Sequence, residues 1–156
     1  MVIQRWQSLL LLLAVVCMGL FSFLSLGQVQ TSDWTFDFTA YGFSVEGEAT
    51  GAMVPEFVST WYFFAVSLLS AVIPLIAIFT FKHFRLQKNL CLLSILFAAC
   101  VVAVGALLGY QTIDGGALNW SSLVCAPFIA IIAESMAYNR ICADHKVIRD
   151  TYRLRD

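Results

Sequence analysis

The chain has 156 residues, enough for one ordinary domain, but 60% of them are hydrophobic and only 12% are charged. Soluble domains run at roughly half and roughly a quarter, so the sequence lacks the polar skin that a soluble fold of this size needs. The formal net charge of −1 is uninformative as a total, and what matters is how the charges are distributed; no nucleic-acid module can be assembled from the sequence, so no nucleic-acid partner is expected.

Four long uncharged runs cover residues 6–32, 57–81, 89–113 and 115–133. Each reaches the roughly 18–20 residues that a helix needs to cross a hydrocarbon core of about 30 Å. In lipid the backbone must satisfy itself, and a helix does so within one segment. The expected fold is therefore an all-α membrane protein. A single domain over 1–156 would form a four-transmembrane-helix bundle with spans at about 8–26, 58–81, 90–113 and 118–138.

The first span follows Arg5 and ends near Ser25-Leu26-Gly27, a small-x-small pattern. A cleaved signal peptide is the competing reading, but the apolar run of about 19 residues exceeds the usual core of about 7–15. The outer loop 27–57 is the one sizeable extramembrane segment. Residues 33–39 alternate polar and apolar with period two, Tyr41-Gly42 can turn, and residues 43–46 alternate again. This predicts a short extracytoplasmic β-hairpin between helices 1 and 2. A lone hairpin is marginal in water, so its Trp34, Phe36 and Phe38 face should dock on the helix ends or on a partner.

Pro74 lies inside the second span and removes a hydrogen bond to the Ser70 carbonyl. Gly105 and Gly109 form a GxxxG pattern in the third span, extended by Ala99 and Ala103. Small residues at this spacing let helices approach closely in lipid, here against the fourth span or in a dimer. Residues 114–119 should turn tightly into the fourth span. That span carries Glu134, which falls short of its inner boundary. A carboxylate there should face the bundle, pair with a cation or stay protonated. Arg5, just below the first span, is the expected partner in an intramembrane ion pair, with Arg85 next. The tail 139–156 reads as an amphipathic helix, with Arg140/Asp144 and Lys146/Asp150 as i,i+4 pairs.

Orientation follows from the basic residues. Arg5, then Lys82, Arg85 and Lys88, then Arg140, Lys146, Arg149, Arg153 and Arg155 are every Lys and Arg in the chain, and four spans put them all on one side. The opposite side holds Asp33, Asp37, Glu46, Glu48, Glu56 and Asp114. Basic segments stay in the cytoplasm, so the N- and C-termini are expected there. Trp6 at the inner edge, with Trp61, Tyr62 and Trp120 at the outer edge, suits the headgroup zones.

The five cysteines, Cys17, Cys91, Cys100, Cys125 and Cys142, include no CxxC pair, and they read as small buried hydrophobes. His83 and His145 have no ligand-spaced neighbours. No metal, cofactor or catalytic residue is expected.

Three short motifs are similar to a known family. Gln4-Arg5-Trp6-Gln7-Ser8-Leu9 before a leucine run resembles the opening of the Bacteroidetes family called domain of unknown function 4293. Phe84-Arg85-Leu86-Gln87 leading into Leu90-Cys91 is similar to its connection before the third helix. Asp144, Val147-Ile148-Arg149 and Arg153-Leu154-Arg155 resemble its charged ending. His145 and Lys146 stand where the family leads one to expect an acidic residue, and Tyr152 near an expected Asp. The resemblance implies a bacterial inner (plasma) membrane protein and gives no activity. Its matching residues Gln4, Arg5, Arg85, Gln87, Arg149 and Arg153 all fall at the cytoplasmic face, which makes that face a candidate site.

Size, the absence of a recognisable catalytic constellation and the polar residues gathered at one face favour a non-enzymatic scaffold or accessory subunit. Its partners would be the lipid bilayer and a membrane protein or a second copy. A small transporter or permeation subunit is the alternative, although it usually needs ionisable groups near the midplane and the first three spans have none. A small four-helix membrane enzyme of glutathione-conjugating type is the third reading.

Overall fold

The computed structural model describes residues 2–30, 35–45, 60–80, 83–112 and 117–153. Helices α1 (Val2–Phe23), α2 (Trp61–Phe79), α3 (Phe84–Thr112) and α4 (Ala126–Arg153) form a ring in which α1 packs on α2 and α4, and α3 on the same two. Each contains a stretch long and apolar enough to cross a membrane. The start of α1, the α2–α3 connection and the end of α4 share one end of the bundle.

The buried positions explain the antiparallel packing. They recur at alternating spacings of three and four: Gln7, Leu11, Ala14, Met18 and Phe21 on α1; Phe63, Ser67, Ser70, Pro74 and Ala77 on α2. The same rhythm gives Gln87, Cys91, Ser94, Ala98 and Val101 on α3, and Ala126, Ala130, Ala133 and Ala137 on α4, with Ile141 one turn further on. This heptad rhythm makes neighbouring helices cross at a shallow angle. The seam is rich in Ala and Ser, while large side chains such as Leu9, Leu12, Leu96, Leu107 and Ile132 are exposed. A soluble bundle shows the reverse distribution.

The segment between α1 and α2 differs from the expected two-stranded hairpin. Strands β2 (Thr35–Thr39) and β3 (Gly42–Val45) do pair around the Ala40-Tyr41 turn, and the Thr39 hydroxyl donates to the Gly42 carbonyl at 2.6 Å. Two further strands join them: β1 (Ser25–Gln30), directly after α1, and β4 (Ala117–Trp120), before α4. The antiparallel sheet has the order β3-β2-β1-β4. Gln28 faces Asp37 on one side and Asn119 on the other. Gly27 is required here, because an added Cβ would lie 2.6 Å from the Asn119 carbonyl oxygen.

Several boundaries move accordingly. The first helix stops at Phe23 rather than near 26, because Gln28 and Gln30 leave the apolar run and their backbone pairs as strand. The expected turn and early fourth helix at 114–120 give way in part to β4. A single 3-10 turn, Ser122–Cys125, then leads into α4. From Ala126, α4 continues unbroken into the tail for 28 residues, about 42 Å of helix.

The sheet docks on the helix ends through Leu26, Phe38 and Ala40, which share one buried cluster with Phe21, Phe63 and Val101, and Val29 and Phe36 are buried as well. Phe63 is the hub. Its ring meets Phe21 edge-on with centroids 5.9 Å apart and stacks on Phe38 at 6.4 Å. Gly105 is on the same side: a Cβ there would sit 3.4 Å from Phe63 Cζ. The close approach of Gly105 is thus to α2, whereas the sequence pointed to the fourth helix. Ala99 and Ala103 face outward, and Gly109 is buried. Trp34, expected on the docking face, lies outside the described residues.

Candidate functional site

Polar side chains inside an apolar bundle are costly unless they are hydrogen-bonded, so the buried ones mark where a site can be. Ser22 on α1 lies 3.0 Å from the Ser67 hydroxyl on α2, and Ser67 donates back to its own Phe64 carbonyl at 2.9 Å. This contact joins two helices and leaves little free capacity.

Glu134 differs. It is fully buried, close to the middle of the apolar stretch Ser122–Asp144. Ala130, Ala133 and Ala137 around it are small enough to let α4 press against its neighbours, which puts the carboxyl group inside the bundle. The Ser94 hydroxyl of α3 donates to Glu134 Oε1 at 2.5 Å. Oε2 has no hydrogen-bond partner among the described residues. A carboxyl group held by one oxygen and open at the other can take a proton, a hydrogen-bond donor or a cation. Ser70, also buried, has an unpartnered hydroxyl among the described residues, and Pro74 cannot bond to its carbonyl.

The second polar group is at the bundle end away from the sheet. The Gln7 side-chain amide of α1 donates to the Asp144 carboxylate of α4, and Lys88 Nζ lies 5.6 Å from the centre of the Tyr138 ring. Gln87 is buried while Arg85 is exposed, so these two expected site residues take different faces of α3. The side chains of Gln4, Arg5, Arg149 and Arg153 lie outside the described residues. The Gln7–Asp144 contact also sets the register of α1 on α4. Asp144 is ten residues beyond Glu134, about 15 Å along the helix, and Arg5 precedes Gln7. Among the described side chains the partner of Glu134 is Ser94; that of Arg5 is not among them.

Two contacts here escaped sequence reading. Gln7 and Asp144 both belong to the family-like motifs, and both are in phase with the heptad stripes, which was a usable signal. Ser94 carried none, because serines occur throughout the spans. The five cysteines are free thiols, and no metal-holding group of His, Cys, Asp and Glu is found among the described residues.

The fold and its buried polar groups define a mostly helical protein with four membrane-length helices, a small sheet at one end and a carboxyl group within the bundle. The chain belongs to the family described as Domain of unknown function (DUF4293), whose model matches residues 3–154. No curated protein matches it.

Proposed function

We propose that the protein is a multi-pass bacterial inner-membrane protein that acts as a non-enzymatic scaffold or accessory subunit. Its sheet would face outward and both termini would be cytoplasmic. The inversion of the bundle supports insertion: small and polar residues face inward and large aliphatic ones outward, the arrangement favoured where lipid replaces water. The one-sided placement of Lys and Arg supports the orientation.

The observation that carries the accessory role is the state of α3. Only 22% of its apolar stretch Arg85–Tyr110 is buried. Its outer face mixes the small residues Ala99, Ala103 and Ala106 with Leu96 and Leu107, a surface on which another span can pack. Purification in mild detergent should retain a membrane-protein partner or a second copy, and Ala99→Leu with Ala103→Leu should release it. A monomer without partner in several mild detergents would overturn the reading.

Glu134 favours a second reading, a small transporter or permeation subunit, because it supplies the mid-span ionisable group that the first three spans lack. Ion or proton flux into proteoliposomes that disappears in Glu134→Gln would establish it. Equal flux in both proteins would dismiss it.

A further inference from the structure

An apolar cleft of about 200 Å³ lies between the sheet, α3 and α4. Its back wall is formed by Phe38, Phe63 and Gly105, and its rim by Ala106, Trp120 and Phe128. The back residues Phe38 and Phe63 are buried, whereas all three rim residues are exposed. Gly105 helps to keep the space open, since it places no side chain between α3 and the Phe63 ring.

We propose that this cleft holds the end of one acyl chain of a membrane phospholipid, which enters sideways between α3 and α4 from the leaflet on the sheet side. The proposal rests on the membrane reading above. A dry void of about 150 Å³ is already large enough to bind benzene, and unfilled apolar walls forfeit their dispersion contacts. Water gains little in a cleft whose walls offer it no partners. The occupant must therefore be apolar and must reach a mouth on the side of the bundle. Ala106 and Phe128 both belong to the apolar stretches of their helices, so the mouth opens where hydrocarbon surrounds the protein. Trp120 on the rim favours the headgroup zone, which puts the mouth a short way below the headgroups, within reach of the chains of that leaflet. A cleft walled by apolar side chains, with exposed rim residues in the apolar stretches of α3 and α4, suits a chain end rather than a headgroup.

Photolabelling tests this directly. The protein is reconstituted in phosphatidylethanolamine vesicles containing an analogue whose acyl chain ends in a diazirine, and the adducts are located by peptide mass spectrometry. Adducts are expected on Phe38 or Phe63, which are shielded from lipid around the bundle, as well as on Leu12, exposed on α1. Ala106→Phe, or Val102→Phe, should abolish the inner adducts and leave that on Leu12. Val16→Phe, on α1 and away from the mouth, should change neither. Labelling of Leu12 without labelling of Phe38 or Phe63 would overturn the proposal while leaving the membrane reading intact. No adduct even on Leu12 would bring down the membrane reading, and the proposal with it. Inner adducts that persist in both filled variants would overturn the lateral entry.

Discussion

At the sheet-bearing end rings join α1, α2 and α3. Phe63 touches Phe21 and Phe38 and abuts Gly105, and the sheet lies over them. At the other end polar side chains join α4 to α1 and α3, Gln7 to Asp144 and Lys88 to Tyr138, with Glu134 and Ser94 between the two zones. The rings hold by shape and area, so they tolerate changes of charge and respond to changes of volume. The polar end responds to the loss of single hydrogen-bonding groups. One bundle thus has a rigid anchor at one end and a chemically responsive surface at the other.

The largest expected effect is at the anchor. Phe63→Ala should lower stability in detergent by about 3–5 kcal/mol, the range for a large buried ring, seen as a clear fall in thermal midpoint. A loss no greater than that of Lys88→Gln would remove the distinction between the two ends.

Next comes the boundary between them. Ser94→Ala leaves the buried Glu134 carboxyl without its donor and should cost about 1–3 kcal/mol. Combined with Glu134→Gln, the two losses should fail to add by about 0.5 kcal/mol or more, because the groups touch. Arg5→Gln combined with Glu134→Gln should add within about 0.5 kcal/mol, because the α1–α4 register separates them. Strong coupling of Arg5 to Glu134 would establish the ion pair expected from the sequence.

The smallest effect belongs to the polar end. Lys88→Gln removes a cation over an aromatic face and should cost about 0.5–1 kcal/mol. Tyr138→Leu should cancel that difference in a double-mutant cycle.

The four long helices were legible as long apolar runs, and Glu134 as a charge that interrupts one. The β2–β3 hairpin was legible from its alternation, although its turn falls on Ala40-Tyr41, one residue before the expected Tyr41-Gly42. Strand β1 was hidden because Leu26, Gly27 and Val29 extend the apolar run of α1, and only Gln28 and Gln30 mark the change. Strand β4 has four residues and pairs with a strand about ninety positions away, and no local pattern encodes such a pairing. The same holds for Gly105: its spacing announced a close helix contact, but which helix it would meet depends on the order of the ring.

The proposed bundle crosses the membrane with its sheet outside and its polar end inside. The most direct test is labelling of single introduced cysteines with a membrane-impermeant thiol reagent, after the five native cysteines have been replaced. Tyr41→Cys, at the exposed β2–β3 turn, should react once the outer envelope is made permeable. Arg85→Cys, exposed at the start of α3, should react only after the inner membrane is opened. Labelling of Arg85→Cys with the inner membrane still sealed, or protection of Tyr41→Cys under the same conditions, would contradict the account.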